Sequence, residues 1–312
     1  MDDVRVVVSG VAEELRDLIS QVPGAAVSFA DDADTLAALV PDAEVVAGDI
    51  GPDLLARARR LRWIQSWAAG PNRMLYPELS DSDIVLTCAK GNGAVPLAEH
   101  AMLLIGMLNS GAQQWLDAQR ERRWARHEHR ELQGQTCGII GLGGSGTDLA
   151  EKAHAFHMHV LGVRRRCQPT PHVDEVLPLD RLHDLLVRSD FVVVTAPLTA
   201  ATAGMLGEAE FDVMKPTASI VCISRGGIID DDALLTALRT GKIAGAGLDA
   251  HGTEPLPVDS PFWTAPNTIV TPHNGATTPQ TRQRGVEIFL DNLNRYLDGR
   301  PLRNIVDKRE GY

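Results

Sequence analysis

The stretch GIIGLGGSGTDLAEKAHAF sets Gly141, Gly143 and Gly146 in the spacing G-x-G-x-x-G. Residues 137–140 ahead of it read as a buried strand, and the segment after it has a helical pattern. Glycines at such a turn let the backbone approach a pyrophosphate closely, and the helix N-terminus adds N–H groups and the favourable end of its dipole. A strand-to-helix turn without a ligand can carry the same glycines. It is the strand, turn and helix context that points to a dinucleotide.

About 20 residues beyond such a loop, the second strand ends in Asp or Glu when the ribose carries a free 2′-OH. Here VLGVRRRCQP places Arg164, Arg165 and Arg166 at that point, and no acidic residue occurs from 160 to 173. A carboxylate would repel a 2′-phosphate, whereas an arginine pairs with it in a charge-assisted, bidentate contact. Arginine runs are usually solvated surface. At this strand end, in a chain of formal net charge -11, the run reads instead as a 2′-phosphate site, so NADP(H) is expected as the preferred cofactor, with NAD(H) possible.

The 312 residues allow two α/β domains of ordinary size, each with a substantial core. Acidic balance argues against general nucleic-acid or anionic-membrane binding. Cys88, Cys137, Cys167 and Cys222 are scattered without a C-x-x-C pair, so neither a metal site nor a disulfide framework is expected. The start MDDVRVVVSG lacks the features of a signal peptide, and no run approaches the 18 or so apolar residues of a membrane span; a cytoplasmic location follows as an expectation.

Short apolar runs alternate with amphipathic segments throughout, the pattern of βα units feeding a doubly wound parallel sheet. Four runs fall in the first third (VRVVVSG, AEVVAGD, LRWIQSWAAG, DIVLTCAKG). Six follow in a second series (TCGIIGLG, HVLGVRR, FVVVTAPL, SIVCISRG, IAGAGLDA, TIVTPH). Residues 95–124 between the series contain Pro96 in a first turn and no later proline, which permits one long connecting helix. Near the end, PQTRQRGVEIFLDNLNRYLDG has helical spacing, stops at the capping Gly299, and can return the chain to the first domain. The expected division is a discontinuous substrate-binding domain, residues 1–99 plus 284–312, and a dinucleotide-binding domain, residues 100–283.

Three later motifs put polar residues at strand ends, where a parallel sheet binds its ligand: Arg225 in CISRGGIIDDDAL, Asp249 and Glu254 in GLDAHGTEPLPVDSPFW, and His273 in TIVTPHNGATTPQT. Singly these could be a surface arginine, a solvated glutamate and a helix-capping histidine. In this order behind the glycine loop, the sequence closely resembles the D-isomer-specific 2-hydroxyacid dehydrogenases, from WIQSWAAG through APLTAATAGML to TPHNGATT, most specifically in SRGGIID, EPLP and TPH.

The resemblance implies a catalytic set that falls on Arg225, Glu254 and His273, and the chemistry agrees. Reducing a 2-keto acid takes a cation for its carboxylate, a proton donor for its carbonyl oxygen and an oriented hydride donor. Arg225 supplies the planar fork, His273 the proton, and Glu254 would favour and orient the imidazolium.

Cofactor contacts are expected from Gly141, Gly143, Gly144, Ser145, Gly146, Arg164, Arg165 and Arg166, and by family analogy from Pro197, Thr202, Ile223, Ser224 and Asp249, the last holding the nicotinamide carboxamide. The loop SWAAGPN matches the family's carboxylate-binding main chain, so Ala69 and Gly70 join Arg225 and His273 as substrate contacts; a Gly-Pro turn without a ligand is the alternative.

Departures from the family are Gly144 and Ser145, where a larger residue often follows the second glycine, and His251, where Phe is more usual. His251 reads as a packed core histidine or as a polar contact adjusting the pocket. His100 reads as a helix residue lining the cleft between domains, and Trp67 and Trp124 as core packing or as pocket walls. The implied protein is a homodimer that reduces glyoxylate, hydroxypyruvate or an aliphatic 2-keto acid to the D-2-hydroxy acid, its cleft closing on a hinge. An NAD-linked D-3-phosphoglycerate-type dehydrogenase and a non-catalytic, dinucleotide-sensing corepressor-like protein are the alternatives.

Overall fold

The computed structural model describes residues 3–311, which divide into two units: one runs to Gly93 and resumes at Thr278, and the other spans Ala94–Thr277. Both boundaries fall six residues before the expected 99/100 and 283/284. The helix Ala94–Ser110 therefore lies wholly in the second unit, where its Ala98, Ala101, Leu104 and Ile105 belong to a buried cluster of that unit's sheet.

Among the described residues of the first unit, five parallel strands are β1 (Val4–Ser9), β2 (Ala25–Ala30), β3 (Val45–Ala47), β4 (Trp63–Ser66) and β5 (Val85–Cys88), in the order β2-β1-β3-β4-β5. Successive side chains point to opposite faces. Val7, Val46, Ile64 and Leu86 fill one core, and Val6, Val8, Val45 and Trp63 fill another. A sheet apolar on both faces must be covered on both. The helix Pro279–Leu297 brings Val286, Phe289 and Leu293 to the second core, which is why the chain returns to this unit. Thr278 caps its start by accepting from Thr281 N–H at 3.1 Å, and Gly299 follows its end at φ +67°. Asn292, fully buried, donates to Arg303 O at 3.0 Å and accepts from Arg303 N–H at 2.8 Å, tying the helix to the tail beyond it.

The second unit's seven described strands are β6 (Thr136–Ile140), β7 (His159–Val163), β8 (Glu175–Leu177), β9 (Phe191–Val194), β10 (Ser219–Cys222), β11 (Gly245–Leu248) and β12 (Thr268–Val270). All are parallel, in the order β12-β11-β10-β9-β6-β7-β8, so the winding reverses between β6 and β9. Ligands of open α/β sheets bind at the strand C-termini beside such a reversal.

Two strands escaped the sequence reading. β2 alternates half-buried with exposed positions before ending buried, and β8 (EVL) opens on a glutamate, so neither shows a continuous apolar run. The single helix expected over 95–124 is also corrected. Gly111 adopts φ +63° and divides it into Ala94–Ser110 and Ala112–Arg120, because glycine occupies the left-handed region without the steric cost of a Cβ.

Candidate active site

Arg225 follows β10, Glu254 follows β11 and His273 follows β12, three strands that are neighbours in the sheet. Parallel pairing puts all three chain segments at one edge. The turn carrying Arg225 lies against the loop carrying Glu254: a Cβ on Gly226 would fall 1.9 Å from His251 O. Only glycine permits that approach. The Arg225 guanidinium donates from Nη1 to Ser224 O at 2.7 Å.

Glu254 and His273 meet directly. Both carboxylate oxygens lie within reach of His273 Nδ1, at 2.9 and 2.8 Å, and Glu254 Oε1 also accepts the His251 N–H at 3.0 Å. A carboxylate can only accept, so Nδ1 carries the hydrogen of this bond and Nε2 is the ring nitrogen outside the pair. Partial burial opposes the charge on Glu254, but the His251 N–H and the His273 ring outweigh it and hold the carboxyl below its ordinary range. His273 sits at φ +51°, a left-handed conformation uncommon for a residue with a Cβ. Such a conformation persists where the surroundings impose it.

Asp249 supplies part of that restraint. Fully buried, it accepts from Thr271 Oγ1 at 2.7 Å, Asn274 N–H at 2.8 Å and Gly275 N–H at 2.9 Å. Desolvation opposes its charge, yet His100, Thr271 and these two N–H groups hold its carboxyl far below the ordinary range. His100 Nε2 lies 3.0 Å from Thr271 Oγ1 and 3.5 Å from Asp249 Oδ1, so its ring belongs to this buried network. Sequence reasoning singled out Asp249 and His100 separately. Their shared partner Thr271 was missed, since a threonine beside a strand end carries no signal of its own.

At the winding reversal, the glycines divide their work. Gly141 has φ +103°, and a Cβ there would stand 2.7 Å from Ala196 N, so it seats the turn against the end of β9. A Cβ on Gly146 would lie 2.0 Å from Gly141 O, so the helix Gly144–Ala155 starts tightly against the turn. At Gly143 a Cβ would meet no atom within 4 Å. Its backbone is open to a ligand. The first N–H groups of this 12-residue helix, at Gly144, Ser145 and Gly146, have no intrahelical acceptors. Together with Ser224 Oγ, buried without a partner among the described residues, these features fit a dinucleotide.

Arg164 is half-buried just past β7, its N–H on Leu177 O at 3.2 Å and its Nη1 on Thr170 Oγ1 at 3.2 Å, and Arg165 and Arg166 are exposed beside it. Thr202 Oγ1 donates to Pro197 O at 2.7 Å, closing the turn after β9, and Ile223 is buried where β10 ends. Five strand spacings of about 4.8 Å separate β7 from β12, so a ligand touching both Arg164 and His273 must be elongated, roughly 24 Å.

In the first unit, the loop after β4 holds exposed Ala69 and half-buried Gly70. Trp67 Nε1 donates to Ser9 O at 2.8 Å, Asn92 donates to Trp67 O at 3.3 Å, and Cys88 Sγ donates to Ala69 O at 3.3 Å, fixing the loop's path. Trp67 packs edge-on against Phe289 at 5.6 Å, as core packing predicts. Trp124 does not: it is 94% exposed, beyond the second helix of the divided pair, where no core reaches it. Among the described residues no cluster of three or more metal-ligating side chains occurs, and no helix is long and apolar enough to cross a membrane. Cys88, Cys137 and Cys222 are buried and Cys167 is exposed, all as free thiols.

Comparisons with known proteins place the chain among relatives of one family. The family described as "D-isomer specific 2-hydroxyacid dehydrogenase, NAD binding domain" matches residues 102–275. A glyoxylate reductase of Korarchaeum cryptofilum is 32% identical over 89% of this chain and 83% of its own length. A D-3-phosphoglycerate dehydrogenase of Methanocaldococcus jannaschii is 30% identical over 86% of this chain, which spans about half of that protein, 52%. The crystal structure of an NADPH-dependent glyoxylate/hydroxypyruvate reductase from Sinorhizobium meliloti, in complex with NADP and sulfate, superposes with a TM-score of 0.88 at 27% identity, covering 99% of this chain and all of that one. With its glycine turn at the winding reversal and its Arg, Glu and His at three adjacent strand ends, the chain belongs to the D-isomer-specific 2-hydroxyacid dehydrogenases, a family of Rossmann-fold oxidoreductases that use a nicotinamide dinucleotide.

Proposed function

We propose that the protein reduces a small 2-keto acid, such as glyoxylate, hydroxypyruvate or an aliphatic homologue, to the D-2-hydroxy acid with NADPH. The observation that carries this reading is the Glu254–His273 pair, whose geometry leaves His273 Nε2 to deliver a proton. Arg225 binds the substrate carboxylate through its planar fork and polarises the adjacent carbonyl, assisted by the main-chain N–H groups of Ala69 and Gly70. His273 Nε2 protonates the carbonyl oxygen as negative charge develops there, and Glu254 stabilises the imidazolium before transfer. NADPH, when bound, supplies the hydride.

Glycine-loop and helix N–H groups would hold the pyrophosphate, and Arg164, Arg165 and Arg166 the 2′-phosphate. Pro197, Thr202, Ile223 and Ser224 would border the nicotinamide end. Asp249 is proposed from the family to hold the carboxamide; in this conformation its side chain is fully buried on Thr271, Asn274 and Gly275. The NADP-bound relative supports the cofactor choice, and so does the absence of an acidic residue from 160 to 173. We further propose that the first unit is the substrate-binding domain and the second the dinucleotide-binding domain, which also carries Arg225, Glu254 and His273, and that the protein acts as a cytoplasmic homodimer.

Initial rates with NADPH and NADH, against glyoxylate, hydroxypyruvate, pyruvate and 2-ketoisocaproate, test the proposal. NADPH-selective turnover is expected. Faster turnover with NADH would overturn the role of the arginines, and oxidation of D-3-phosphoglycerate with NAD in preference to all four reductions would move the chain to its half-matched relatives. No turnover in any arm would favour a dinucleotide-sensing role.

A further inference from the structure

His251 follows β11 and is 8% exposed. Its two polar ends reach the two halves of the site. The backbone N–H donates to Glu254 Oε1 at 3.0 Å, and ring Nε2 lies 2.9 Å from Thr271 O. That carbonyl also accepts the His273 N–H at 3.1 Å. One residue thus braces the carboxylate on one side and the turn bearing the imidazole on the other.

The restraint matters because His273 is held at φ +51°. Thr271 is already fixed by its N–H on Leu248 O at 2.8 Å and its hydroxyl on Asp249 at 2.7 Å. The bond from His251 closes the remaining side. Without it, Thr271 O would keep only the short-range contact from His273, and the turn could swing relative to Glu254.

The ring's chemistry is also determined. A carbonyl only accepts, so Nε2 carries hydrogen, and in the neutral ring Nδ1 is then an acceptor. Nδ1 is buried without a partner among the described residues. A cavity of about 10 Å³ has His251, Asp231 and Arg225 in its lining. Asp231 reaches the same backbone, since a Cβ on Gly252 would fall 2.7 Å from its Oδ2.

We infer that His251 is a positioning residue, which couples Glu254 to the turn of His273. The role rests on the reading of Glu254 and His273 as the proton-delivering pair. His251 does not touch the reacting atoms; it aims the group that does.

The test uses the full chain, as wild type, His251→Phe and His251→Gln. Phenylalanine fills the space without a donor, and glutamine can return a donor to Thr271 O. With melting temperatures matched, His251→Phe should lower kcat about 10- to 100-fold, in keeping with the cost of small misplacements at a reacting centre, and leave the NADPH dissociation constant within about twofold. His251→Gln should recover most of kcat. An equal kcat in His251→Phe, or no rescue by glutamine, overturns the role.

A second measurement does not depend on turnover. In the cofactor-free protein, ¹H–¹⁵N correlation should show His251 protonated on Nε2, and the amides of Asn274 and Gly275 should exchange about tenfold faster in His251→Phe but not in His251→Gln. Hydrogen on Nδ1 instead, or unchanged exchange, overturns the inference. If the wild type reduced no keto acid, the proposed function would fail while these spectra still decided whether His251 holds the turn.

Discussion

Glu254 faces His273 Nδ1 with both of its carboxylate oxygens, at 2.9 and 2.8 Å. Their side chains are 35% and 38% exposed, so water screens the attraction and little folding energy resides in the pair. Its worth lies in orientation. A histidine with Nδ1–H fixed on a carboxylate can present only Nε2 to a substrate.

His273→Ala should therefore lower kcat by about 10²- to 10⁴-fold, the range supplied by a positioned acid, with cofactor binding nearly unchanged. Glu254→Gln keeps a hydrogen-bonding group but loses the charge, and should cost less than His273→Ala. Steady-state rates with a parallel fluorescence titration of NADPH check both. Wild-type turnover in His273→Ala would remove the residue from the mechanism.

The arginines past β7 should discriminate cofactors. Arg164→Ala with Arg165→Ala is expected to weaken NADPH by about 1.5–3 kcal/mol, roughly 10- to 150-fold, because charge-assisted bonds to the 2′-phosphate are lost. NADH has no such phosphate and should change little. Paired dissociation constants decide the matter, and equal losses would contradict the assignment.

Two glycines of one loop should fail in different ways. At Gly146 an added Cβ would stand 2.0 Å from Gly141 O, so Gly146→Ala should lower the melting temperature. At Gly143 the Cβ would meet no atom within 4 Å, and Gly143→Ala should fold normally yet bind NADPH weakly, because the methyl would occupy the approach of the pyrophosphate. Differential scanning fluorimetry with and without NADPH separates the outcomes. Normal cofactor affinity in Gly143→Ala would refute the proposed path of the dinucleotide.

Asp249 links stability to pH. Its carboxyl is held below the ordinary value of 3.8, so the folded state binds fewer protons than the unfolded one near that value. The stabilisation is complete above the unfolded value and is lost as pH falls below it towards the folded one. Asp249→Asn should cost about 1–3 kcal/mol at pH 7, since an amide cannot accept from both Asn274 and Gly275 through its nitrogen. Urea unfolding from pH 7 to pH 3 should show a smaller acid loss in the variant than in the wild type.

Much of this architecture was legible in the chain. Ten strands announce themselves as continuous apolar runs, because a parallel sheet covered on both faces tolerates little polarity at its centre. The glycine spacing, the arginine run and the strand-end residues Arg225, Glu254 and His273 were likewise visible, since backbone clearance and charge limit which residue types serve. Strands β2 and β8 were not: β2 alternates half-buried with exposed positions and β8 is the short segment EVL, whereas the other two edge strands, β5 and β12, do carry apolar runs.

Tertiary structure decided the rest. Gly111 could have been an ordinary helical residue until its φ of +63° divided the helix, and Trp124 a core residue until the packing left it 94% exposed. His251 could be read as packing or as a polar contact adjusting the pocket, and the structure shows a buried ring whose Nε2 reaches Thr271 O. Residue types along the chain define which chemistry is available. Distances between residues about 20 apart, such as 251 and 271, follow from the register of β11 on β12, a relation between strands that no single segment contains.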